Sequence, residues 1–156
     1  MLSSVLIIDT DAGVANAFVQ ALSQYGFAVI QALSTQQGLD ALHEKKPQAL
    51  ILDVCIPGSP SVEFLREVKA LYPALPIIVV TAYSTSFTEA KAQREGVAGY
   101  FAKPFNLNAL VEKLKTVTGR MKVLAAPEEN ALGALSASYR SKSLRQFTPR
   151  LGEEAA

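Results

Sequence analysis

The sequence is poor in the residues that several large function classes require. It has one cysteine, Cys55, and one histidine, His43. One cysteine excludes an internal disulfide framework and a cysteine-built zinc site. One histidine excludes a histidine-rich metal centre and argues against a Ser-His-Asp hydrolase. No apolar run approaches the roughly 20 residues a membrane span needs, and the first eight residues lack the basic start and long apolar core of a secretory signal. Net charge is also lacking: 15 Lys and Arg stand against 14 Asp and Glu, for +1. No strong field of one sign draws nucleic acid or anionic lipid. These absences lead to the expectation of a cytoplasmic protein with no membrane association.

What is present is apolar substance. Hydrophobic residues make up 49% of the 156 residues and charged residues 19%, enough to bury a core in one domain with a tail. The composition changes near Gly119. Before it, short β-branched runs alternate with helix-length segments; after it come Ala, Ser and scattered charges, including Arg120, Lys122, Arg140, Lys142, Arg145 and Arg150.

Five runs read as strands: Val5–Asp9, Ala28–Ala32, Ala49–Asp53, Ile77–Thr81 and Gly99–Ala102. Val-Leu-Ile-Ile, Ala-Leu-Ile-Leu and Ile-Ile-Val-Val are nearly continuous, as strands covered on both faces must be. The segments between them carry helix punctuation. Asp11 caps a first helix that Gly26 ends. Ser34 and Gln37 have capping-box spacing before a second, stopped by Pro47. Ser61 caps a third with Phe64, Leu65, Val68 and Leu71 on one face. Ser86 and Glu89 open a fourth that ends near Gly96. Asn106 caps a fifth whose Leu107, Leu110, Val111 and Leu114 form an i, i+3, i+4, i+7 stripe.

Five alternating strands and helices predict an α/β fold: a doubly wound parallel sheet with right-handed crossovers. In such folds ligands bind beyond the carboxyl ends of the strands. Those ends read Asp9, Asp53, Thr81 and Lys103. Singly, each has an ordinary reading as a turn, cap, strand or loop residue. Together they bring two carboxylates, a hydroxyl and an ammonium to one rim. The set suits phosphoryl transfer to a carboxylate: carboxylates hold Mg²⁺, cations neutralise the transferring oxygens, and a carboxylate can be the covalent acceptor.

At these residues the chain resembles the receiver domain of a two-component response regulator. The matching strings are VLIIDTD (5–11), LILDVCIPG (50–58), PIIVVTAYS (76–84) and GYFAKPF (99–105), in the family's order and spacing. The resemblance implies a flavodoxin-like (βα)5 fold with strand order 2-1-3-4-5. It implies a receiver domain over residues 1–119, leaving 120–156 as a flexible C-terminal tail or linker with at most one weak helix.

The resemblance also implies roles. Asp53 is the phosphoacceptor for a histidine kinase or phosphotransfer protein. Asp9, Asp53 and the backbone carbonyl of Cys55 hold Mg²⁺. Thr81 and Lys103 contact the phosphoryl group, and Tyr100 is the aromatic switch that turns with Thr81. Lys103-Pro104 matches the family's Lys-Pro pair, often joined by a cis bond. The signal leaves through the face of the fourth helix, fifth strand and last helix, to a downstream protein or a homodimer. No direct DNA binding by this chain is expected, nor catalysis beyond self-phosphorylation and slow autodephosphorylation.

Two departures stand out. The family places two adjacent acids after the first strand, the second a direct metal ligand; here that position is Thr10, a poorer Mg²⁺ ligand, so Thr10 or Asp11, one residue further on, is the alternative metal ligand, with the helix cap the first expectation for Asp11. Metal binding is therefore expected to be weakened. After Pro57, Pro60-Ser61 stands where the family often has Asp-Gly or Ser-Gly. Tyr83, two residues past Thr81, is expected to sit near the path of attacking water and tune the lifetime of the phosphorylated state. Two other readings compete. One is a receiver-like interaction module independent of phosphorylation, favoured by Thr10. The other is a small haloacid-dehalogenase-like phosphatase using Asp9 of Asp9-Thr10-Asp11, disfavoured because only Glu112 and two tail pairs of acids follow Lys103.

Overall fold

The continuous apolar runs become the middle of one sheet. The computed structural model describes residues 2–54, 62–82 and 84–119. In chain order these form β1 (Ser3–Ile8), α1 (Ala12–Gln24), β2 (Phe27–Ala32), α2 (Thr35–Lys45), β3 (Ala49–Asp53), α3 (Val62–Leu71), β4 (Ile77–Thr81), α4 (Ser86–Arg94), β5 (Gly99–Ala102) and α5 (Leu107–Thr118). The five strands are parallel in the order β2-β1-β3-β4-β5. Every residue of β3 and β4 is buried, whereas the edge strand β5 is only half-buried and ends on an exposed Ala102. The least uniformly apolar runs therefore occupy the edges, where one side has no neighbouring strand.

Strand alternation sorts the core into two layers. Val5, Ile7, Ile51, Ile78 and Val80 pack against α1 and α5; Leu6, Ile8, Leu50, Leu52 and Val79 pack against α2, α3 and α4. Each fully buried Leu or Ile contributes about 1.5–3 kcal/mol of transfer free energy. The α5 stripe is buried as its spacing predicts. Between α1 and α5 the Tyr25 hydroxyl donates to Asn108 Oδ1 at 2.7 Å. Burial, and then the nearby Glu112 carboxylate, raise the Tyr25 phenol above its ordinary 10.0, which keeps it a donor. Gly38 lets α2 lie close on β1, because a methyl there would run into the Ile8 side chain.

The helix signals hold with three differences. Asp11, Ser34 and Asn106 are N-caps, and Gly119 ends α5 in the left-handed conformation. At α2, Ser34 Oγ accepts the Gln37 N–H, but Gln37 Oε1 reaches past the cap to the N–H of Leu33. The α4 box lies one residue earlier than Ser86-Glu89: Thr85 and Thr88 cap each other reciprocally, and Ser86 is the first helical residue. Two short hydroxyls at the required spacing close that turn. In α3, Leu71 is 60% exposed; Tyr72, the next residue, packs against the core instead. Ser61, Cys55, Pro57, Pro60, Tyr83 and the whole of 120–156 lie outside the described residues, so the expectations placed on them do too. No described helix is long and apolar enough to cross a membrane.

Candidate functional site at the carboxyl end of the sheet

The rim is assembled by register. Ile8 partners Leu52 across β1 and β3, so Asp9 and Asp53 each stand one residue beyond a paired position on adjacent strands. They continue the alternation of Ile7 and Ile51, which places both carboxylates on the α1–α5 side of the sheet. Asp53 partners Val80, and Thr81 follows on the same strand. Thr81 partners Ala102, and the Lys103 N–H donates to the Thr81 carbonyl at 2.8 Å. The bond joining Lys103 to Pro104 is cis.

Four residues far apart in the chain are thus neighbours in space. Asp9, Asp53 and Thr81 are buried, at 0%, 1% and 3% exposure. Lys103 Nζ lies 2.6 Å from Asp53 Oδ2, with 3% of the lysine side chain and none of the aspartate side chain exposed. Burying two charges costs several kcal/mol per ion, offset only by close pairing. An ion pair this deep therefore holds both groups in a fixed position, but it is weak evidence of stabilisation. Asp9 Oδ1 accepts the N–H of Asp11 at 2.9 Å, which fixes that carboxylate as well.

The donor set fits a hard cation. Asp9 and Asp53 supply buried carboxylate oxygens, the ligand type Mg²⁺ prefers. Thr10, at the position of the second acid, is exposed. Asp11 is engaged elsewhere: its Oδ1 accepts the N–H groups of Gly13 and Val14 at 2.9 and 3.2 Å, as the cap of α1. Among the described residues no group of three or more His, Cys, Asp or Glu side chains is placed to hold a metal. Among the described residues this rim thus brings together two buried carboxylates, from Asp9 and Asp53.

Tyr100 belongs to the other layer. It partners Val79 and packs against the α2–α4 cluster, on the same sheet face as Thr81, which lies two residues beyond Val79. Its hydroxyl donates to Ser84 Oγ at 3.0 Å and shares a 3.2 Å hydrogen bond with Thr88 Oγ1. Ser84 and Thr88 carried no assigned role in the sequence reading. The Thr85-x-x-Thr88 spacing was the available signal, since it places a hydroxyl in the first turn of the helix beside β5. The Tyr100 ring is thereby tied to the start of α4. At the far end of that helix, Arg66 of α3 pairs with Glu95 at 2.8 Å.

This fold and rim are those of a receiver domain, and the sequence comparisons agree. The family described as "Response regulator receiver domain" matches residues 5–115. The chain belongs to that family. Among curated relatives, the probable transcriptional regulator ycf29 of Cyanophora paradoxa is 29% identical over 150 residues, covering 94% of this chain and 71% of that protein. The transcriptional regulatory protein CreB of Escherichia coli is 32% identical over 124 residues, covering 80% of this chain and 54% of that protein. The chain thus spans about half the length of CreB. Among solved structures, the CheY-like receiver domain protein of Methanospirillum hungatei superposes with a TM-score of 0.70 at 26% identity, covering 76% of this chain and 95% of that one. The match over 5–115 selects the receiver reading over the dehalogenase-like phosphatase reading of Asp9.

Proposed function

We propose that this receiver is phosphorylated on Asp53 by a histidine kinase or phosphotransfer protein, and that phosphorylation alters the face formed by α4, β5 and α5. The observation that carries the reading is the 2.6 Å contact of Lys103 Nζ with a fully buried Asp53 carboxylate. An aspartate held that deep with an ammonium on one oxygen is placed to become an acyl phosphate, because the cation is already where the new anionic oxygens arrive.

In the transfer, an Asp53 oxygen forms a bond to phosphorus as the phosphorus–nitrogen bond of the donor phosphohistidine breaks. The electron pair goes to the imidazole nitrogen, which takes up a proton. Asp9 and Asp53 would hold Mg²⁺, whose charge, when bound, offsets that of the phosphoryl oxygens. Lys103 moves from pairing with the carboxylate to pairing with the phosphoryl oxygens. Thr81, on the neighbouring strand, donates its hydroxyl to one of them.

The acyl phosphate carries roughly −1.5 to −2 where the carboxylate carried one negative charge, and its oxygens draw Thr81 toward the rim. Tyr100, on the same face, follows and gives up its bonds to Ser84 and Thr88. The start of α4 is then released, and the altered face binds a downstream protein or a second copy of the chain. DNA binding is not part of this role. The setting is cytoplasmic, and residues 1–119 act as the unit. Tyr83 tunes the lifetime of the phosphorylated state: Tyr83→Ala changes the dephosphorylation half-life, and an unchanged half-life refutes that assignment.

Thr10 favours a second reading, in which the domain binds partners without being phosphorylated. One experiment separates the two. The full chain is incubated with a small phosphodonor over a range of Mg²⁺ concentrations, and mass gain is followed for the wild type and Asp53→Asn. A gain of one phosphoryl group in the wild type alone, requiring more Mg²⁺ than a three-acid site would, supports phosphorylation. No gain at any Mg²⁺ level supports the second reading.

A further inference from the structure

At the end of the sheet opposite the carboxylates lies a cavity of about 650 Å³. Leu42 and Pro47 line it from the end of α2 and the turn into β3, Tyr72 and Leu75 from the segment between α3 and β4, and Val117 and Thr118 from the last turn of α5. The first two segments precede β3 and β4, whereas Asp53 and Thr81 end those strands, so the cavity lies away from the rim. Its size falls within the ~300–1,000 Å³ typical of sites that enclose a ligand. Its margin carries exposed His43 and Lys46, which line it, and beside them exposed Lys45 and one acid, Glu44. Lys46 holds the left-handed conformation (φ 47) and directs the chain into the buried Pro47.

We infer that this cavity is the docking site of the chain's own segment Met121–Glu129. The last turn of α5 leads the chain out at this cavity. Val117 and Thr118 form part of the wall, and Gly119 ends α5 in the left-handed conformation (φ 75), so the chain leaves α5 at the cavity's margin. The residues that follow are Met-Lys-Val-Leu-Ala-Ala-Pro-Glu-Glu. Val123 and Leu124 come within five residues of Gly119, a reach of at most ~18 Å, and suit the apolar lining. Glu128 and Glu129 come next, with up to ~30 Å of chain from Gly119. That reach brings their carboxylates to the basic margin of His43, Lys45 and Lys46. Beyond Lys122, an apolar stretch followed by two acids thus meets an apolar wall whose margin holds His43, Lys45 and Lys46 against the single acid Glu44. Docked there, the segment anchors whatever follows residue 129 at the base of the domain, away from Asp53 and from the α4–β5–α5 face.

The test uses the full chain in solution. The substitutions Val123→Asp and Leu124→Asp together lie beyond α5 and leave the core residues unchanged. Amide spectra of this variant and the wild type are compared, along with hydrogen exchange at the Gln48 and Leu75 N–H groups, which donate to Ser4 and Tyr72 carbonyls beside the cavity. Docking predicts shifted amides over 42–46 and 72–75 and exchange about tenfold faster at Gln48 and Leu75 in the variant, with Asp9 and Thr81 unmoved. The wild-type spectrum must also be unchanged by dilution. Identical amides in variant and wild type overturn the inference. Wild-type amides that move toward the variant's on dilution overturn it too, and assign the cavity to the segment of a second copy.

Discussion

The middle of the sheet and its β5 edge are built differently. β3 and β4 are buried at every position and carry Asp53 and Thr81 at their ends. β5 is half-buried up to its exposed last residue, Ala102, and among the described side chains of α4 beside it only Ala92 is buried. The middle is held by dense apolar contact on two faces. The edge is held by hydroxyls: Tyr100 to Ser84 and Thr88, and Thr85 to Thr88. Regions with few buried apolar contacts open at lower free-energy cost than the core. A charge added at the middle therefore finds its compliant neighbour at the edge. Lys103 joins the two, since it follows β5 in sequence and pairs with the end of β3.

The contrast can be broken at that joint first. Lys103→Met leaves a buried carboxylate without its cation, and denaturant unfolding should show a loss of about 3–5 kcal/mol. A loss under 1 kcal/mol would mean that middle and edge are not joined there. Next, Leu52→Ala removes buried bulk from the middle and should cost about 2–5 kcal/mol by the same measurement. The smallest effect belongs to the edge. Tyr100→Phe removes two hydrogen bonds, one to exposed Ser84 and one to half-buried Thr88, at about 1 kcal/mol each or less. Hydrogen exchange should quicken in α4 and leave β1 and β3 unchanged. Faster exchange throughout the sheet would show that the edge is no softer than the middle.

The contrast was partly legible in the sequence. Continuous Ile, Leu and Val runs marked β1, β3 and β4 as interior, and the bounds of β3, β4 and β5 match the apolar runs residue for residue. Strand-end positions brought Asp9, Asp53, Thr81 and Lys103 to one rim because parallel winding leaves all carboxyl ends on the same side. What was not legible depended on competition between similar groups or on distant segments meeting. Thr85 and Ser86 are both adequate caps, and only the reciprocal bond with Thr88 decides between them. Leu71 fits the helical stripe, yet Tyr72 packs against the core in its place. The basal cavity is built from three segments that no local pattern links. The ties of Tyr100 to Ser84 and Thr88 needed the placement of α4 on β5.

The central claim is that Asp53 is the residue that accepts phosphorus. The direct measurement is to treat the chain with a small phosphodonor and Mg²⁺, reduce the acyl phosphate with borohydride, and locate the resulting homoserine by peptide mass spectrometry. The account predicts homoserine at position 53 alone, and none in Asp53→Asn. Reduction product at position 9 or 11, or at no position across the full Mg²⁺ range, would contradict it.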